Sequence, residues 1–166
     1  MTLTEEPQKL LELRQFYLTQ VEQLYQQIQQ WGTGKMEFAF TDNYPVEDKT
    51  GEYQAQFLTA NIIQKSQEVS NGTVDFWPWG ITFLTEEGII KSHGTFNEEE
   101  LVYMQKDQLT YTERNGQILP LDEGFEQDGW YWMFGKLSEI KMRPLTEEVF
   151  WELMRRCAGY SPEELP

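Results

Sequence analysis

The apolar residues of this chain change period twice, and those changes leave few architectures open. From Leu10 to Trp31 they recur at steps of three and four: Leu10, Leu13, Tyr17, Val21, Leu24, Ile28 and Trp31, widened by Leu11 and Phe16. That spacing belongs to one face of a helix, because 3.6 residues per turn bring every third or fourth side chain back to the same side. From Lys35 to Met142 the period falls to two, and beyond Pro144 it returns to three and four. A chain ordered helix, strands, helix must cover the apolar face of a sheet with its helices, so the expected fold class is α+β.

The predicted boundaries follow from local chemistry. Thr4-Glu5-Glu6-Pro7 offers a cap, two acids for the positive end of the helix dipole, and a proline where a missing N–H costs little. Gly32 and Gly34 end the stripe, which sets a helix over 5–31. At 1.5 Å per residue it would be about 40 Å long, comparable to the whole domain. It either lies across the sheet or overhangs and meets a second copy, so a homodimer through this helix is one expectation. Thr146-Glu147-Glu148 opens a second helix over 146–158, with Val149, Phe150, Leu153, Met154 and Cys157 on one face, Arg155 and Arg156 near its negative end and Gly159 as its stop. A short tail, 159–166, completes a single domain spanning 1–166.

Between the helices, alternation predicts an antiparallel meander of about seven or eight strands over 35–142, open, curled or barrel-like. Met36, Phe38 and Phe40 alternate with polar or small residues, as do Tyr53, Ala55 and Phe57. Thr41 to Gly51, with Asp42, Asn43, Pro45, Asp48 and Gly51, reads as an exposed loop. Asn71-Gly72 and Lys106-Asp107 read as turns, and Arg114-Asn115-Gly116-Gln117 is the strongest hairpin signal. Pro78, inside Phe76-Trp77-Pro78-Trp79-Gly80, implies an edge, a bulge or a bend, which would leave Trp79 partly exposed. Trp130-Tyr131-Trp132-Met133-Phe134 carries rings on both faces and is expected to be a central strand. Leu137 to Met142 is expected to be the last.

Composition restricts chemistry. One histidine, His93, and one cysteine, Cys157, supply neither a two-histidine metal site nor an internal disulfide. Neither a GxGxxG nor a GxxxxGK pattern occurs, so no cofactor is expected. Cys157 falls on an apolar stripe, where a buried, unreactive thiol is the ordinary occupant. His93 alone could serve as an acid or base near neutral pH. Glu126 and Asp128 beside Trp130 and Trp132 are the available pair for glycoside chemistry, although 28 acids place some acid beside some tryptophan by chance. Asp122, Glu126 and Asp128 form an acidic loop without the oxygen pattern of a calcium loop, so a solvated role is expected. The balance leans away from an enzyme.

The net charge of −15 repels nucleic acid and anionic membrane while suiting a protein partner with a basic face. No run approaches the roughly 20 apolar residues of a membrane span, and the start lacks a secretory signal, so a cytoplasmic protein is expected. Trp77, Trp79, Trp130 and Trp132 are the candidate binding residues, as an exposed patch, a cavity lining or plain core. The expected function is therefore a non-catalytic protein-binding module, such as an inhibitor, an immunity or antitoxin-like protein, or an assembly factor. The alternative is a small-molecule binder whose sheet closes around an aromatic-lined cavity. An acidic surface imitating nucleic acid is a third, weaker reading.

Overall fold

The apolar stripe at the start of the chain folds as helix α1, Glu5–Trp31. The structure, a computed structural model, describes residues 5–63, 72–83, 86–105, 111–114, 117–120, 127–135 and 141–159. After α1 come β1 (Met36–Asp48), β2 (Gly51–Ile62), β3 (Thr73–Ile81), β4 (Gly88–His93) and β5 (Glu98–Met104). A hairpin of β6 (Tyr111–Arg114) and β7 (Gln117–Pro120) precedes β8 (Gly129–Phe134), β9 (Lys141–Pro144) and helix α2 (Glu147–Ala158). The main sheet has seven strands in the order β1-β2-β3-β4-β5-β8-β9, all antiparallel, and among the described residues β6 and β7 form a separate two-stranded sheet. This is an α+β meander with one inserted hairpin. Its edges, β1 and β9, stay unpaired with each other, so the sheet does not close into a barrel.

Both helices lie on one face of the sheet. Tyr17, Val21, Leu24, Tyr25 and Ile28 of α1 and Val149, Phe150, Leu153, Met154 and Cys157 of α2 bury against Leu58, Ala60, Ile62, Val74, Phe76, Ile90 and Leu101. The two helices meet through Trp31 and Phe150, whose ring centroids are 5.2 Å apart. At α2 the local chemistry is as the sequence implies. Thr146 caps its start by accepting the Val149 N–H, and Gly159 ends it at φ +88°, a left-handed conformation that glycine adopts without penalty.

Two glycines mark where helix and sheet touch most closely. A methyl group on Gly88 would overlap the ring of Tyr17, and one on Gly94 would overlap the backbone carbonyl of Cys157. The start of β4 therefore lies directly under α1, and the turn after it lies against the end of α2. Phe96 N–H donates to that same Cys157 carbonyl at 3.0 Å, and the Asn97 side chain donates to the Arg156 carbonyl at 2.9 Å.

Three expectations need correction. The segment Thr41 to Gly51 is not a loop: β1 continues to Asp48, and only the turn into Gly51 is tight. Its turn-forming residues are absorbed by a bulge, since Asp42 and Asn43 together oppose Gln56, with Asn43 at φ +65°. Pro45 is tolerated because β1 is an edge strand and needs no outward donor. The aromatic strand β8 is not central but next to the edge, because β9 alone lies beyond it. Its rings still face both ways: Trp130 and Trp132 join the helix-covered core, while Tyr131 joins a second buried cluster with Val102 and Met104. Finally, the last strand, β9, runs on past Met142 to Pro144, and its expected start at Leu137 falls in 136–140, outside the described residues. The expected turns at Asn71 and Lys106-Asp107 lie outside them too, whereas Arg114 pairs with Gln117 as the hairpin signal requires.

Candidate recognition surface

Register decides which face of the sheet each tryptophan occupies. On β3, Val74 and Phe76 point into the helix-covered core, so Asp75, Trp77 and Trp79 point to the opposite face. On β4, Ile90 and Ser92 are buried, and Ile89, Lys91 and His93 alternate with them. Pairing then builds rows across this helix-free face. Asp75 lies opposite His93 and His93 opposite Glu98; Trp77 lies opposite Lys91 and Lys91 opposite Glu100.

Contacts fill those rows. Phe57 stacks on Trp77 with centroids 6.0 Å apart and planes 9° apart, and Tyr44 extends the series at 5.4 Å from Phe57. His93 sits 6.3 Å from Trp77 on its other side. Thr59 donates to Asp75 at 2.8 Å. The Lys91 ammonium lies 3.9 Å from the centroid of the Trp79 ring and 3.7 Å from a Glu100 oxygen. Trp79 itself is 56% exposed. A ring of that size left this open presents a large apolar area to solvent.

A hydroxyl from α1 bridges the two strands at the bulge that carries Trp79. The β3–β4 register shifts between Pro78 and Gly80, so Trp79 is the unpaired residue of a bulge. Tyr17 Oη lies at this point between the strands, accepting the Gly80 N–H at 3.1 Å and donating to the Ile89 carbonyl at 2.6 Å. Gly80 and Ile89 are register partners, so one phenol bridges the two strands at the shift. Burial is the main reason the Tyr17 hydroxyl is pushed far above its ordinary pKa, so it keeps the proton it donates.

Beside it, Asp48 accepts the Ile81 N–H at 3.1 Å, the Tyr53 hydroxyl at 2.6 Å, and the Thr50 N–H and hydroxyl at 2.8 and 2.6 Å. Burial raises the pKa of this carboxyl, but the four donors outweigh burial and hold it below its ordinary value of 3.8. Arg14 lies over the Tyr53 ring at 4.8 Å and binds Thr50, tying α1 to the same turn. Tyr17 and Asp48 are positioning residues: they fix the two backbone groups that follow Trp79.

The four candidate tryptophans thus divide. Trp77 and Trp79 share the helix-free face; Trp130 and Trp132 lie under the helices, 9% and 4% exposed. Trp130 Nε1 donates to the Gln20 carbonyl of α1 at 3.1 Å, and Trp132 Nε1 donates to Glu99 at 3.1 Å, so both act as anchors between elements. Of the acidic loop, Asp122 and Glu126 lie outside the described residues, and Asp128 is exposed at the start of β8. Cys157 is fully buried, 3.7 Å from Ser92 Oγ, and burial pushes its thiol up to about 11.

Phe57, Lys91 and Glu100 complete the surface and were not singled out by sequence. The signal for Lys91 was present, in the alternation of Ile89, Lys91 and His93 with buried partners, but its neighbours depend on pairing.

Among the described residues, no group of three or more His, Cys, Asp and Glu side chains is placed to hold a metal ion. No helix among them is long and apolar enough to cross a membrane. A depression of about 560 Å³ lies between α1 and the β1–β2 edge, where Glu22, Asp42 and Gln54 contribute to its lining and none of the four tryptophans does. No protein-family model, curated protein or solved structure matches this chain.

Proposed function

We propose that the protein is a non-catalytic, cytoplasmic protein-binding module that recognises its partner through the helix-free face of the sheet. The observation that carries this reading is Trp79, more than half exposed on a bulge held in place from behind, beside the stacked Phe57 and Trp77. Large rings held rigidly at low entropic cost are the usual centre of a protein interface. The net charge of −15 favours a partner with a basic face, by steering encounter and penalising acidic competitors.

The cavity reading has less support, because the open sheet provides no closed barrel and the space under the helices is taken by core side chains. A homodimer through α1 rests on Leu11 and Phe16, 51% and 41% exposed, and Phe16 already packs edge-on against Tyr103 at 5.6 Å.

Affinity capture from host extract with the wild-type chain and with Trp77→Ala/Trp79→Ala tests the proposal. The expected result is a set of proteins held at low salt, released as salt rises, and lost with the double variant. Identical capture by both chains would overturn it.

A further inference from the structure

We infer that the Lys91–Trp79 contact marks the seat of a cationic side chain supplied by the partner, with Lys91 occupying that seat in the free protein. This rests on the recognition reading above and adds the chemistry of the occupant: a basic protein segment whose arginine lies over the Trp79 indole.

Three observations carry it. First, the seat is built for a cation. An indole face attracts an ammonium or guanidinium through its quadrupole, and Lys91 Nζ takes that position at 3.9 Å with Glu100 3.7 Å away. Second, the surroundings carry surplus negative charge: Asp75, Glu98 and Glu100 line the two rows, with Lys91 as the one lysine or arginine among their paired β3, β4 and β5 positions. Third, the ring is open to a competitor, since Trp79 is 56% exposed even with Lys91 in place.

Exchange costs little. The Lys91–Glu100 contact is long, at 3.7 Å, and its carboxylate side stays open to water, so screening keeps it weak and Lys91 can give way to a better-fitting cation. Arginine is the better occupant, because its flat, weakly hydrated guanidinium stacks on an indole while its N–H fork engages a carboxylate such as Glu100. Lys91 thus acts as a tethered competitor, lowering the apparent affinity by the fraction of time it holds the ring.

The test uses the whole chain and a fluorescently labelled Arg-Gly-Arg-Gly-Arg peptide, with a citrulline version of the same peptide as the neutral isostere. Anisotropy titrations at low salt compare the wild type with Lys91→Met, Trp79→Ala and, as a charge-matched control, Lys141→Met, whose exposed side chain lies on the β9 edge strand. Lys91→Met is expected to tighten arginine-peptide binding several-fold and Trp79→Ala to weaken it about tenfold, while Lys141→Met changes it less than about twofold and citrulline peptide binds poorly to all.

Far-UV circular dichroism checks that each variant folds, and Lys91→Gln replaces Lys91→Met if that one does not. Equal tightening by Lys91→Met and Lys141→Met would overturn the inference, as would equal binding of the citrulline peptide. If captured proteins still require Trp79 while Lys91→Met has no effect on the peptide, the cation seat falls and the recognition surface stands. If neither capture nor peptide binding depends on Trp79, both fall.

Discussion

Two side chains behind the sheet decide where Trp79 points, and their chemistry sets testable limits. Tyr17 Oη is hydrogen-bonded to both Gly80 and Ile89 at the register shift. Tyr17→Phe would leave a buried N–H and a buried carbonyl without that partner, an expected loss of about 2 kcal/mol, read as a lower midpoint in urea unfolding. The bulge should loosen as well, so acrylamide quenching of tryptophan emission should change in the folded variant. An unchanged midpoint would remove Tyr17 from this role. Asp48 makes the complementary case through pH. Its folded pKa is held below 3.8, so the carboxylate contributes stability above the unfolded value, and that contribution is lost as pH falls through the lower folded value. Wild type should therefore lose stability below about pH 4 more steeply than Asp48→Asn, which should already be weaker at pH 7 because it no longer accepts four hydrogen bonds as an anion. Parallel pH profiles for the two proteins would contradict this.

The helices were the most legible elements. The span of α1, the cap at Thr146 and the stop at Gly159 each rest on a few neighbouring residues, and local chemistry is what a sequence displays directly. The strands were legible in direction, and the seven of the main sheet in number, but not in extent, and the separate two-stranded sheet of β6 and β7 makes nine where seven or eight were expected. Asp42, Asn43 and Pro45 have turn chemistry, yet a bulge and an edge position let β1 run through them, and both facts belong to pairing rather than composition. Likewise, rings on both faces of β8 indicate two covered faces without fixing its rank in the sheet. The candidate surface was half legible for the same reason: the bend at Pro78 correctly marks Trp79 as exposed, but only register separates Trp77 and Trp79 from the buried Trp130 and Trp132 and brings in Lys91. Packing between elements makes its own prediction. Gly94 has the Cys157 carbonyl where a methyl group would go, and backbone yields less than a side chain, so Gly94→Ala should destabilise by roughly 1–3 kcal/mol. It should also free the Cys157 thiol for faster reaction with a disulfide reagent, as the end of α2 lifts. Unchanged stability and labelling would mean that this contact does not hold α2 in place.

At the scale of the whole molecule, both helices cover one face of the sheet, while the opposite face buries Val102, Met104 and Tyr131 and leaves Trp79 exposed. The helices spend their apolar stripes on the first, where Phe76, Phe150 and Trp31 close the core, and no described helix covers the Trp79 side. A net charge of −15 surrounds both. Association through the second face should therefore weaken with ionic strength, since exposed charges are screened beyond about 8 Å in physiological salt. The most direct measurement is site-specific photocrosslinking, with photoreactive benzoylphenylalanine in place of Trp79 in one protein and in place of the exposed α2 residue Glu148 in another. The account predicts that position 79 gives a discrete, salt-sensitive protein adduct and position 148 gives none. Adducts from position 148 with none from position 79 would contradict it.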